Sequence, residues 1–147
     1  MKYIFLTDEF YEHYINCTEI EQKSDRPYVQ LYIRIKNIHF AIPFRSNIKH
    51  RYVYWTDKAN GFGLDYSKAV IIENLDYIDT SRKPYIREHE HKALVGKDRD
   101  VEKGLLKYIA EYIKAKEKID ERSKRLRQYS TLQYFEKIIE SSSLEIL

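Results

Sequence analysis

Val29-Gln30-Leu31-Tyr32-Ile33-Arg34-Ile35-Lys36-Asn37-Ile38-His39-Phe40-Ala41-Ile42-Pro43-Phe44 is the stretch on which the fold turns. Val29, Leu31, Ile33 and Ile35 alternate with Gln30, Tyr32, Arg34 and Lys36, the period of two that marks a half-buried strand. Lys36-Asn37 makes a tight turn, and Ile38 to Phe44 returns as a second strand. The apolar run stops at Pro43. Arg45-Ser46-Asn47-Ile48-Lys49-His50-Arg51 then sets a hydroxyl, an imidazole and three permanent cations within seven positions. A loop held by a rigid sheet is where binding and catalytic groups concentrate. Cations there can bind an anion and stabilise developing charge, and a histidine can move a proton near neutral pH. The same residues also fit a basic turn after a hairpin with no catalytic role.

Outward from the hairpin, Lys2 to Leu6 reads as a first strand and Thr7 as the N-cap of a short helix from Asp8 to about Asn16. Cys17 to Pro27 is polar and reads as a loop. Tyr52 to Thr56 is a third strand, and Asp57 to Gly63, with two of the four glycines, is the strongest break in the chain. Leu64 to Ile72 reads as one further strand with Ala69-Val70-Ile71-Ile72 central, and Tyr77-Ile78 and Tyr85 to Leu94 as short edge strands. From Asp98 the pattern is helical: Val101, Leu105, Tyr108/Ile109, Tyr112/Ile113 and Ile119 form an apolar stripe. Ser130 caps a last helix carrying Leu132, Phe135, Ile138 and Ile139. Strands first and helices later predict a single α+β domain over 1–147, a strongly bent antiparallel sheet flanked by helices with a mainly helical C-terminal half.

The 147 residues, 43% hydrophobic and 33% charged, are those of a soluble globular protein. No run approaches the roughly 20 apolar residues of a membrane span. The N-terminus turns acidic too early for a signal peptide, and a single cysteine, Cys17, rules out an internal disulfide. These features lead to a cytoplasmic expectation with no membrane partner. Net charge is only +3, but it is unevenly spread. Arg26, Arg34, Lys36, Arg45, Lys49, Arg51 and Lys58 face one acid, Asp57, between 26 and 58. Lys97 to Arg127 holds eleven Lys/Arg against seven acids. That separation is the footprint of a polyanion partner. The fourteen tyrosines add flat faces for base stacking, which favours single-stranded nucleic acid.

No glycine-rich phosphate loop, dinucleotide fingerprint or nucleophile elbow is present. The five histidines are scattered, and His89-x-His91 lacks an evident third ligand, so neither metal nor cofactor is expected. RNA supplies its own nucleophile, the 2′-hydroxyl; an enzyme must align it, move two protons and stabilise the anionic phosphorane. His50 is the natural acid or base. Arg45, Lys49 and Arg51 can neutralise phosphate, Ser46 can hydrogen-bond a non-bridging oxygen, and Tyr28 and Tyr54 can stack bases or orient the phosphate. Tyr32, Arg34, Lys36, Trp55 and Lys68 complete the expected RNA-binding surface. Ser46 as a covalent nucleophile finds no acid–histidine relay around it.

Asp25-Arg26-Pro27-Tyr28, Ala41-Ile42-Pro43-Phe44-Arg45-Ser46-x-Ile48-x-His50, Trp55-Thr56-Asp57, Tyr66-Ser67-Lys68-Ala69-Val70 and Leu132-Gln133-Tyr134-Phe135 carry a resemblance running through most of the chain. It resembles the type III toxin–antitoxin endoribonucleases, the ToxN/AbiQ group, and especially its CptN/TenpN branch. The resemblance implies a MazF/Kid-like barrel flanked by helices. It implies metal-independent cutting of cellular or phage mRNA to 2′,3′-cyclic phosphate and 5′-hydroxyl ends, in phage defence by abortive infection. It also implies inhibition by a small pseudoknot antitoxin RNA, cut from a repeated precursor and held in a closed protein–RNA assembly. ToxN-like members carry Thr-Ser and Lys in the loop after the hairpin. Here Arg45 takes the first of those positions, Ser46 is kept and Lys49-His50 follow, leaving Lys49 and His50 both open as the proton-transfer group. The basic helices between Lys97 and Arg127 are expected to form a second RNA surface. A non-catalytic single-stranded RNA-binding module would use the same tyrosines and cations.

Overall fold

The computed structural model describes residues 2–21, 28–142 and 144. Asp25, Arg26 and Pro27 of the resemblance lie outside the described residues. Seven strands, β1 (Lys2–Leu6), β2 (Gln30–Ile35), β3 (Ile38–Arg45), β4 (Val53–Asp57), β5 (Phe62–Asp65), β6 (Val70–Ile71) and β7 (Ile78–Asp79), form one antiparallel sheet in the order β4-β5-β3-β2-β1-β7, with β6 also on β3. Among the described residues five α-helices complete the α+β fold: α1 (Asp8–His13), α2 (Glu88–Leu94), α3 (Asp98–Ala115), α4 (Glu121–Tyr129) and α5 (Glu136–Ser141). Among the described residues the sheet ends at β4 and β7 and does not close, so the barrel is corrected to an open sheet.

β3 is the spine. One edge pairs with β2 along its length; the other meets β6 at Phe40 and Ala41, then β5 at Phe44 and Arg45. The strand therefore runs through Pro43 and ends at Arg45, one residue past the expected Phe44. Pro43 pairs with Gln30, while the Phe44 N–H bonds the Val29 carbonyl at 2.9 Å. The missing Pro43 donor thus faces the other edge, in the gap between β6 and β5, where no ladder bond is forfeited. The hairpin turn forms as expected, with Lys36 at φ 54.

Three expectations change. Leu64 to Ile72 is not one strand: Asp65 accepts the Ser67 N–H at 2.9 Å and caps a 3-10 turn at Tyr66–Lys68, which splits β5 from β6. Glu88 to Leu94 is helix, not edge strand, because the Thr56 hydroxyl donates to buried Glu90 and His89 pairs with Asp57 at 2.8 Å, fastening α2 to β4. Ile119 lies beyond α3 and is exposed, and Ser130 caps a 3-10 turn at Thr131–Tyr134 ahead of α5. Thr7 does cap α1, accepting the Phe10 N–H. Val101, Leu105, Tyr108, Ile109 and Tyr112 bury the face of α3 against the sheet, in one core cluster with Phe10, Phe40, Ile42 and Phe135.

Gly104 is what lets α3 settle. A Cβ there would overlap the Tyr66 hydroxyl and come within 2.7 Å of its Cζ, while that hydroxyl donates to the Val101 carbonyl at 2.9 Å. Gly104→Ala gains about 1 kcal/mol of helix propensity. Overpacking a buried ring costs about 1–3 kcal/mol, so net destabilisation is expected. Denaturant unfolding checks it; a more stable variant would mean that Tyr66 yields without cost.

Candidate RNA-binding and cleavage site

Local geometry after β3 sorts the loop residues into two groups. Asn47 takes the left-handed conformation (φ 57), which asparagine tolerates. Ile48 is buried, and its N–H bonds the Gly61 carbonyl at 3.3 Å. Ser46 and Lys49 on either side are exposed, whereas Arg45, His50 and Arg51 turn to a cavity between this loop, the Tyr66–Lys68 turn and α4.

Asp65 is the centre of that arrangement. Its side chain is 0% exposed. Oδ1 accepts the Ser67 hydroxyl at 2.6 Å and His50 Nε2 at 3.1 Å, and Oδ2 accepts Arg45 at 2.7 Å. Burial alone raises the Asp65 carboxyl; the His50, Ser67 and Arg45 donors outweigh it and hold it below the ordinary aspartate value. Burial likewise opposes the Arg45 charge, but Asp65, Glu21 (3.0 Å) and the Tyr28 hydroxyl raise the guanidinium above its ordinary value. Tyr28 therefore orients Arg45.

His50 is held at both nitrogens. Nδ1 accepts the Tyr52 N–H at 3.0 Å, so the ring proton sits on Nε2 and points at Asp65. Ser67 Oγ also lies 3.3 Å from Nε2. A hydrolytic triad needs the acid and the nucleophile on opposite ring nitrogens. Here both share Nε2, so the acid–histidine pair makes no relay, to Ser67 or to Ser46.

The cavity measures about 520 Å³. Besides Arg45, His50 and Arg51 it is lined by Lys68, Arg122 and Arg125, with Tyr52, Leu126 and Tyr129 as apolar walls. Arg122, Arg125, Leu126 and Tyr129 fall at i, i+3, i+4 and i+7 and share one face of α4. Among the described residues Arg122 and Arg125 have no ion-pair partner, whereas Arg127 donates to the Ala115 and Lys118 carbonyls and ties α4 to the end of α3. Lys68 Nζ donates to the Tyr129 carbonyl at 3.1 Å. Burial pushes its ammonium down, and the neighbouring Glu21 and Asp65 only partly restore it.

Of the residues singled out in the sequence, then, Arg45, His50, Arg51 and Lys68 meet here, with Tyr28 behind Arg45. Ser46 and Lys49 do not line the cavity. Tyr54 and Trp55 sit half-buried on β4, outside it. Tyr32 and Arg34 line a separate 280 Å³ cavity with Lys2, Asp98 and Glu102; Tyr32 bonds His39 Nδ1 at 2.5 Å and Arg34 bonds the Lys36 carbonyl at 2.9 Å. Of the basic helices, α4 supplies Arg122 and Arg125 to this same cavity. His89 and His91 sit on α2 and bond Asp57 and Tyr3 separately. Among the described residues no group of three or more His, Cys, Asp or Glu is placed to hold a metal ion, and no helix is long and apolar enough to cross a membrane. Asp65, Ser67, Tyr52, Arg122, Arg125 and Tyr129 were not singled out one by one as site residues in the sequence. The i, i+3, i+7 spacing on α4 and the Asp-x-Ser cap were the available signals.

Comparison of the chain with protein-family models, curated proteins and solved structures found no match.

Proposed function

We propose that the chain is a metal-independent endoribonuclease toxin of the type III kind, acting on cytoplasmic transcripts and neutralised by a small folded RNA. One observation carries the reading: the cavity gathers four arginines and Lys68, with Arg122 and Arg125 free of ion-pair partners among the described residues, around aromatic walls. Such a site suits a phosphodiester with a stacked base. Kinship with the MazF and Kid toxins is proposed for the antiparallel sheet with flanking helices, without closure.

In this reading Arg122 and Arg125 bind the scissile phosphate and stabilise its extra charge in the phosphorane, while Tyr129 or Tyr52 stacks a flanking base. Lys68 takes the 2′-hydroxyl proton, the 2′-oxygen bonds to phosphorus as the bond from phosphorus to the 5′-oxygen breaks, and the departing 5′-oxygen takes a proton from solvent. A partly desolvated lysine is the cavity's best-suited base, because burial favours its neutral amine. His50 and Asp65 position the loop on the turn that carries Lys68. Lys49, exposed and outside the cavity, is the weaker candidate.

The alternative is a non-catalytic RNA-binding module, favoured by the engagement of both His50 nitrogens. Incubation of the purified protein with single-stranded RNA in excess EDTA separates the two readings. Cleavage should persist and leave 2′,3′-cyclic phosphate ends. Binding without cutting would establish the module, and activity restored only by a divalent ion would overturn the metal-free chemistry.

A further inference from the structure

Two smaller cavities adjoin the one described, of about 270 and 180 Å³, and both share Arg51 and Tyr52 with it. Lys114 and Lys118 line the first and Lys107 the second. Among the described residues none of these lysines has an ion-pair partner. Arg51, Lys107, Lys114, Lys118 and Arg122 outnumber the two acids at these cavities, Glu111 and Asp120. Asp120 caps α4 through the Ser123 N–H and hydroxyl at 2.9 and 3.0 Å, and Glu111 pairs with Arg51 at 3.1 Å. The unmatched charge facing this side of α3 is therefore positive. Lys107 and Lys114 lie seven residues apart on α3, on the same face and about 10 Å apart along the axis. That length spans about three nucleotides at the 3.4 Å rise of a stacked strand. The Arg51 guanidinium sits 4.8 Å over the Tyr52 ring, at the point where all three cavities meet.

We propose that these cavities form one track for a single RNA strand, in which nucleotides beyond the scissile phosphate run along the Lys107–Lys114 edge of α3, and Lys118 just after it, past Arg51 and Tyr52. The inference rests on the reading of the main cavity as an RNA site. Its substrate is an extended single strand, because a row of cations along a helix follows successive phosphates, not one isolated anion. Arg51 leaves Glu111 for phosphate when the strand is seated.

The test measures binding of uncleavable 2′-O-methyl RNAs, a 3-mer and an 8-mer sharing a central sequence, by fluorescence anisotropy. The 8-mer should bind at least tenfold tighter. Lys107→Glu/Lys114→Glu, both exposed positions, should bring the 8-mer down to the 3-mer's affinity. It should also flatten its log–log salt dependence by about 0.7 per lost contact. The charge-matched control Lys83→Glu/Lys92→Glu should change neither. Equal affinity of the two oligomers in the wild type, or equal losses in variant and control, would overturn the track while leaving the main cavity standing. If neither oligomer binds, the reading of the main cavity falls and the track with it.

Discussion

Asp65→Asn should lower stability at neutral pH by about 3 kcal/mol, because removing one partner of a buried ion pair leaves its cations uncompensated. The low end of the 3–5 kcal/mol range applies, since Arg45 keeps Glu21 and its side chain is 25% exposed. For a chain of this length that is a fall in melting temperature of about 6–12 °C. The pH dependence has a definite sign. The Asp65 carboxyl is held below its ordinary value, so its contribution is complete above about pH 4 and is lost as pH falls through the folded value. The gap between wild type and variant, measured by denaturant unfolding, should therefore narrow below pH 4. A gap that stays constant down to pH 3 would mean that the charge of Asp65 is not what holds the turn. RNA cleavage should fall as well, because the same carboxylate positions His50, Ser67 and Arg45.

Lys68→Arg should lower cleavage by about 10²-fold or more while RNA affinity changes little. The guanidinium keeps the positive charge against phosphate but stays protonated, so it cannot take the 2′-hydroxyl proton. Wild-type cleavage should rise with pH along a limb lying below the ordinary lysine range, because burial depresses the Lys68 ammonium. The variant should lack that limb. Cleavage that survives in Lys68→Arg with its pH profile intact would move the base elsewhere. His50→Ala would then be the informative partner, and a profile lost only there would restore the histidine as the base despite its bonds to Tyr52 and Asp65.

Much of the scaffold was legible in the chain. The two-residue period of Leu31, Ile33 and Ile35 located the hairpin, and the three-to-four-residue spacing of Val101, Leu105, Tyr108 and Tyr112 located α3, because each buries one face. What failed depended on contacts distant in sequence or on a single capping side chain. Glu88 to Leu94 is helical because Glu90 and His89 meet Thr56 and Asp57 on β4. Leu64 to Ile72 breaks because one side chain, Asp65, captures the Ser67 N–H. The site was half legible for the same reason. Composition pointed to Arg45, His50 and Arg51, which are close in sequence, and to a polyanion. Nothing local tied them to Arg122 and Arg125 on α4, or revealed that Ile48 buries itself and leaves Ser46 and Lys49 outside. Sheet closure was an expectation of the resemblance, and the strand order among the described residues leaves both edges open.

The central claim is that this cavity cuts RNA with the substrate's own 2′-hydroxyl. It is tested most directly with two RNAs identical except for a single 2′-deoxynucleotide on the 5′ side of the cut. The expected result is equal affinity, cutting of the all-ribose strand to a 2′,3′-cyclic phosphate and a 5′-hydroxyl, and no cutting of the substituted one. Cutting of the deoxy-substituted strand at the same position, or no cutting of either, would contradict it.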